Sequence, residues 1–190
     1  MAKTQKLKTC FFLNRIALEE MINPYSIDPY YILNDIFNSD HFGAMQDLFR
    51  HFCEAGLAEE FSWKEGSPGN LLYFSERLEQ LIEACFIIHS SGKIRKGGKV
   101  FKKTKQINKA LLPIRLSEME LDKPFIILDA FFAHNSLPEW KEALHRWTEA
   151  GLSKYSVAES AGAEGILSFY QHIEKLIEAS NWIAIRLRKK

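Results

Sequence analysis

The chain has 190 residues and a mass of 22.0 kDa, with 46% hydrophobic and 26% charged residues. A chain of this size buries roughly 70% of its unfolded surface, so it is neither disordered nor fibrous and needs no metal or disulfide staple. Its formal net charge is +1, and its three cysteines, Cys10, Cys53 and Cys85, form no CxxC pair. An odd, unpaired cysteine set argues against a disulfide framework or zinc knuckle and fits a reducing compartment. No apolar run approaches the roughly 20 residues that cross a bilayer. The apolar stretch Cys10–Leu13 is too short for a signal peptide. A cytoplasmic protein without a membrane partner is expected.

Residues 1–28 are expected to hold an N-terminal amphipathic helix, about Lys6–Met21, ended by Asn23-Pro24. The two segments that follow carry the strongest signal in the chain. Residues 29–88 align with residues 124–183 at a constant shift of 95, without a gap. Pro29 meets Pro124, Ile32-Leu33 meets Ile127-Leu128, and Phe37 meets Phe132. Glu54-Ala-Gly-Leu57 meets Glu149-Ala-Gly-Leu152, and Leu81-Ile-Glu-Ala84 meets Leu176-Ile-Glu-Ala179. This reads as a duplication, with too few copies for a solenoid.

Each copy is predicted to form three helices. The first, about Tyr30–Asn38, sets Ile32, Leu33, Ile36 and Phe37 at helical spacing. The second starts near Asp40 in one copy. In the other it starts at the capping box Ser136-Leu-Pro-Glu139. Its apolar faces are Met45, Leu48, Phe49, Phe52 and Trp140, Ala143, Leu144, Trp147. Gly56 and Gly151 are expected to end these helices in the left-handed conformation, with Leu57 and Leu152 packing back. The third helices cover about Leu71–Ile88 and Ile166–Ile185. Glu54 and Glu149 lie opposite the apolar stripe, near a helix C-terminus that disfavours carboxylates, so a tertiary salt bridge is expected there.

The connector, residues 89–123, is basic. Residues 89–116 hold Lys93, Arg95, Lys96, Lys99, Lys102, Lys103, Lys105, Lys109 and Arg115 and no acid, against −8 for the remaining chain. Residues 29–88 alone carry three basic and ten acidic residues. Lys-Ile-Arg-Lys-Gly97-Gly98-Lys-Val-Phe-Lys has the form of a short β-hairpin with a two-glycine turn. Such a ribbon would suit a phosphate backbone. The plainer reading is a linker, or a segment held across the acidic first copy.

No catalytic motif is present: Gly92 and Gly97 have P-loop spacing, but Gly98 stands where lysine belongs. Glu142-Ala-Leu-His145 matches one half of a di-iron motif, whereas Asp47-Leu-Phe-Arg50 puts a cation at the equivalent histidine. Glu79/Glu83 and Glu174/Glu178 fall at i,i+4 on the edge of the stripe, where solvated or ion-paired glutamates are expected. The six histidines are scattered, and Cys53 and Cys85 read as small core residues. No catalytic residue, cofactor or metal is therefore assigned. The loops 58–70 and 153–165 are equally long, and Phe61, Trp63 and Tyr155 are candidates to plug the core or line a groove.

The expected fold is all-α, with two tandem pseudo-symmetric three-helix repeats (29–88 and 124–190) packed as one globule. The expected function is a non-catalytic helical module that binds a protein partner or itself. The alternative is a nucleic-acid-binding protein using the connector, residues 93–115. An enzyme or small-ligand binder with its site between the repeats comes third.

Overall fold

The computed structural model describes residues 28–59, 67–90 and 113–188, which form seven helices and, among these residues, no strand. The expected N-terminal helix, the hairpin at Gly97-Gly98, and Phe61 and Trp63 lie outside the described residues.

Local chemistry starts most of the helices. Asp28 accepts the Tyr30 N–H at 2.9 Å and Pro29 occupies the first turn, opening α1, Pro29–Ser39. Its buried stripe is Leu33, Ile36 and Phe37. Helix α2, Phe42–Leu57, buries Met45, Phe49, Phe52 and Cys53. Helix α3, Pro68–Ser90, buries Leu71, Phe74, Leu78, Leu81, Ile82 and Cys85. A five-residue helix, α4, Glu118–Asp122, is opened by a reciprocal capping box between Ser117 and Glu120. Helix α5 is Phe125–His134. Helix α6, Leu137–Gly151, opens where the sequence places it, with the Ser136 N–H and hydroxyl donating to Glu139 at 2.6 and 2.7 Å. Helix α7, Ala158–Arg188, is broken at Gly162, whose φ of 63° and ψ of 170° suit only glycine.

The helices do not pack segment by segment. Helix α2 lies more extensively on α7 than on its neighbour α3, and α6 lies on α3. Helix α1 rests on both α3 and α7, and α5 on both α7 and α3. The most extensive contact in the described chain joins α2 to α6. One continuous core therefore draws on both segments. Several residues 95 positions apart touch each other across it. The rings of Phe52 and Trp147 stack at 6.4 Å, and Cys85 Sγ lies 3.1 Å from Ser180 Oγ. Gly56 and Gly151 meet at the α2–α6 crossing.

The two glycines correct an expectation. Neither adopts the left-handed conformation; among the described glycines only Gly162 has positive φ. They are small because the helices approach closely. A Cβ on Gly56 would stand 2.7 Å from Trp147 Cε3, and one on Gly151 would stand 2.8 Å from Leu71 Cδ1. The last carbonyls of α2 are satisfied from the other segment instead. The Val157 N–H donates to Gly56 O at 2.8 Å, and the Ser156 hydroxyl donates to Leu57 O at 3.0 Å. Leu57 itself is exposed, and so is Tyr155, which does not plug the core; Val157 is buried nearby.

Gly56→Ala is expected to destabilise the fold by about 1–3 kcal/mol, because the buried Trp147 ring has no room to retreat. Gly43→Ala, also in α2 but facing open space, is expected to stabilise by up to about 1 kcal/mol. Urea unfolding of both variants checks the opposite signs.

Candidate functional site

Helices α3 and α7 each carry two glutamates at i,i+4, Glu79/Glu83 and Glu174/Glu178, on one helix face. The expectation of stripe-edge glutamates, solvated or ion-paired, misses the depth of the second of each pair, although Glu83 is ion-paired. Glu83 and Glu178 are fully buried. Buried carboxylates persist only when donors surround them, and the two are served differently.

Glu83 is met by Lys141 of α6, whose ammonium lies 2.6 Å from Glu83 Oε1 and 2.7 Å from Glu79 Oε1. Burial pulls the Lys141 pKa down, but the hydrogen bonds and charges of Glu79 and Glu83 outweigh it, leaving the ammonium above its ordinary value. Glu178 is met by backbone. Its Oε1 accepts the Ile114 N–H at 3.2 Å and its Oε2 accepts the Arg115 N–H at 2.7 Å. The Arg115 guanidinium reaches Glu174 Oε2 at 2.9 Å, and Gln46 Nε2 donates to Glu178 Oε1 at 3.5 Å. Burial raises the Glu178 pKa more than these two N–H groups lower it. Gln46 and Lys141 occupy the same place on α2 and α6, 95 residues apart.

Pro113–Leu116 thus lies against α7, whereas the corresponding side of α3 faces a groove of about 500 Å³ between α3 and α6. On its floor, Ser75 donates to Thr148 at 2.7 Å, and Thr148 donates to Leu144 O at 2.8 Å. Glu76, Glu79 and Glu142 line it in acid, Lys141 and His145 in base, and Leu72, Pro138 and Leu144 supply apolar walls. At the Ser75 position, α7 carries Tyr170, whose ring stacks on Phe49 at 5.4 Å.

Of the residues singled out from sequence, Lys93, Arg95, Lys96, Lys99, Lys102, Lys103, Lys105 and Lys109 lie outside the described residues. Arg115, the last cation of residues 89–116, turns onto Glu174 of the second segment. Glu142 and His145 sit exposed at the groove, and no cluster of metal-binding side chains occurs among the described residues. Glu54 and Glu149 are exposed. Cys53 and Cys85 are core residues; burial pushes both thiols up, Cys85 to about 12, which makes them poor nucleophiles. Two of the scattered histidines come together: His134 and His172 stack at 4.1 Å around Ser168, whose hydroxyl bonds His134 Nε2 at 2.9 Å. The Ser168 hydroxyl is thus within hydrogen-bond reach of an imidazole nitrogen, in an exposed setting. Comparison with family models, curated proteins and solved structures finds no match.

Lys141→Met strands Glu83 without its cation and is expected to cost about 3–5 kcal/mol; Lys141→Met combined with Glu83→Leu should recover most of it. Both effects are read from urea melts. A second expectation follows from the raised Glu178 pKa. A carboxyl that binds its proton more tightly folded than unfolded favours folding as pH falls toward the unfolded carboxylate range, and loses that contribution as pH rises through the folded pKa. The stability of wild type relative to Glu178→Gln should therefore grow between pH 7.5 and 4.5.

Proposed function

We propose that this chain is a non-catalytic helical module that binds a protein partner through the α3–α6 groove. On this reading, residues 29–88 and 124–183 are copies of one three-helix unit, packed about a pseudo-two-fold axis near Gly56/Gly151 and Cys85/Ser180. The observation that carries the proposal is a difference among the described residues: Pro113–Leu116 lies against α7, whereas the equivalent part of α3 borders a groove. Duplication followed by divergence at one face is how a scaffold acquires a docking site. The groove has apolar walls, a polar floor and a charged rim, as partner-binding clefts do.

A photoreactive residue at Leu72, which lines the groove, is expected to crosslink one defined polypeptide that the same probe at exposed Glu164 does not. Equal labelling from both sites would sink the proposal.

Nucleic-acid binding through residues 93–115 is the second reading, favoured by the uninterrupted run of cations. It is opposed by charge: outside residues 89–116 the chain carries a net −8. Fluorescence anisotropy with short DNA and RNA tests it. Connector-mediated binding would weaken with salt at a log–log slope of about −0.7 to −0.9 per phosphate neutralised. It would also be lost when Lys99, Lys102 and Lys103 become glutamine.

A further inference from the structure

We propose that the cavity between α5, α6 and the broken start of α7 binds the oxyanion, a carboxylate or phosphate group, of a small ligand. This site is separate from the α3–α6 groove and goes beyond the partner-binding reading.

The first segment shows what the chain does with a carboxylate at the corresponding place. There the Tyr73 hydroxyl donates to Asp40 Oδ2 at 3.2 Å, and Arg77 reaches Asp40 Oδ2 at 3.4 Å and Asp35 Oδ2 at 3.1 Å. A shift of 95 residues carries Asp35 to Ala130, Asp40 to Asn135, Tyr73 to Ser168 and Arg77 to His172. Both carboxylates are replaced, while a hydroxyl and a nitrogen donor remain. The same shift sets His134 at the place of Ser39 and Arg146 at that of His51. The second segment thus keeps the donors and gives up the built-in acceptor.

These side chains border a cavity of about 320 Å³, whose polar lining is His134, Asn135, Arg146, Ser160 and Ser168. Arg146 makes no ion pair among the described residues, in contrast to Arg77. The wall that carries Ser168 is fixed from behind. His172 Nδ1 lies 2.7 Å from Ser168 O, which can only accept, so this nitrogen carries a proton and donates. The His172 ring stacks on His134 at 4.1 Å, and Ser168 Oγ lies 2.9 Å from His134 Nε2. The break at Gly162 falls between Ser160 and Ser168, which reach the same cavity. Guanidinium, amide and hydroxyl donors gathered in this way suit an oxyanion. At about 30 Å³ for each water-sized group, the space holds roughly ten non-hydrogen atoms.

The probes are inorganic phosphate and succinate, each titrated into the full chain by calorimetry at pH 7, with the histidine ring nitrogens followed by NMR. Saturable binding of at least one probe is expected, with signals of His134 and His172 moving as it binds. Binding of phosphate alone identifies a phosphate site, and binding of succinate alone a carboxylate site. Arg146→Gln should weaken binding about tenfold. Asn135→Asp returns the first segment's carboxylate to the cavity as an internal competitor, and should weaken binding by about tenfold or more. Arg50→Gln, outside the lining, should leave it unchanged. No saturable binding of either probe by folded wild type would overturn the proposal. So would binding indifferent to both Arg146→Gln and Asn135→Asp, or binding that leaves the His134 and His172 signals in place.

Discussion

Two helix ends that touch almost backbone to backbone set the geometry of this protein. At the α2–α6 crossing a Cβ on Gly151 would lie 3.6 Å from Gly56 N, a distance that bulkier side chains would prevent. That approach lets Phe52 stack on Trp147, and Trp147 in turn on Phe169 at 4.8 Å. It also brings Ser156 and Val157 within reach of the last carbonyls of α2. Once α2 and α6 are joined in this way, each lies over the long helix of the other segment, and the core closes around both.

Helices α3 and α7 pose the same electrostatic problem and meet it in two ways. A carboxylate buried at the same place on α3 and α7 needs donors in both places. On α3 a lysine from the crossing helix supplies them, and on α7 a returning stretch of backbone does. The lysine is a point charge held by two acids. The backbone solution covers its face and fixes where the chain re-enters the body. From there Ser117 caps α4, and Leu121 O accepts from both the Trp182 indole N–H and Arg186 at 2.8 Å, tying this return to the end of α7.

The helices were legible because burial follows the helical period: Leu33, Ile36 and Phe37 in α1, or Phe74, Leu78, Leu81 and Cys85 in α3, are spaced for one face and are buried. The Ser136–Glu139 box was legible because its chemistry is local. What was missed is what tertiary contacts decide. Local rules read Gly56 and Gly151 as left-handed helix ends; the helices do end there, but it is the close approach of a partner helix that requires glycine. Projection placed Glu83 and Glu178 at a stripe edge, because the donors that permit their burial come from distant chain. Their repetition within Leu-Ile-Glu-Ala in both segments was the available signal. Helix α4 is too short to show an apolar period, though Ser117-x-x-Glu120 announces it. His134 and His172 meet only because α5 packs on α7, which no spacing of 38 residues conveys.

The interleaving of helices also orders events during synthesis. When the ribosome has released the first segment, Phe52 can already pack on Phe74 of α3, but Phe49 and Phe52 still lack Phe169 and Tyr170 of α7 and Trp147 of α6. Until α6 and α7 emerge, part of this aromatic face lacks its native contacts, which join residues about 95 positions apart or more. Contacts of that separation form slowly, and apolar surface exposed meanwhile is prone to aggregate. The architecture that closes one core from two segments thus delays closure until α7 is made.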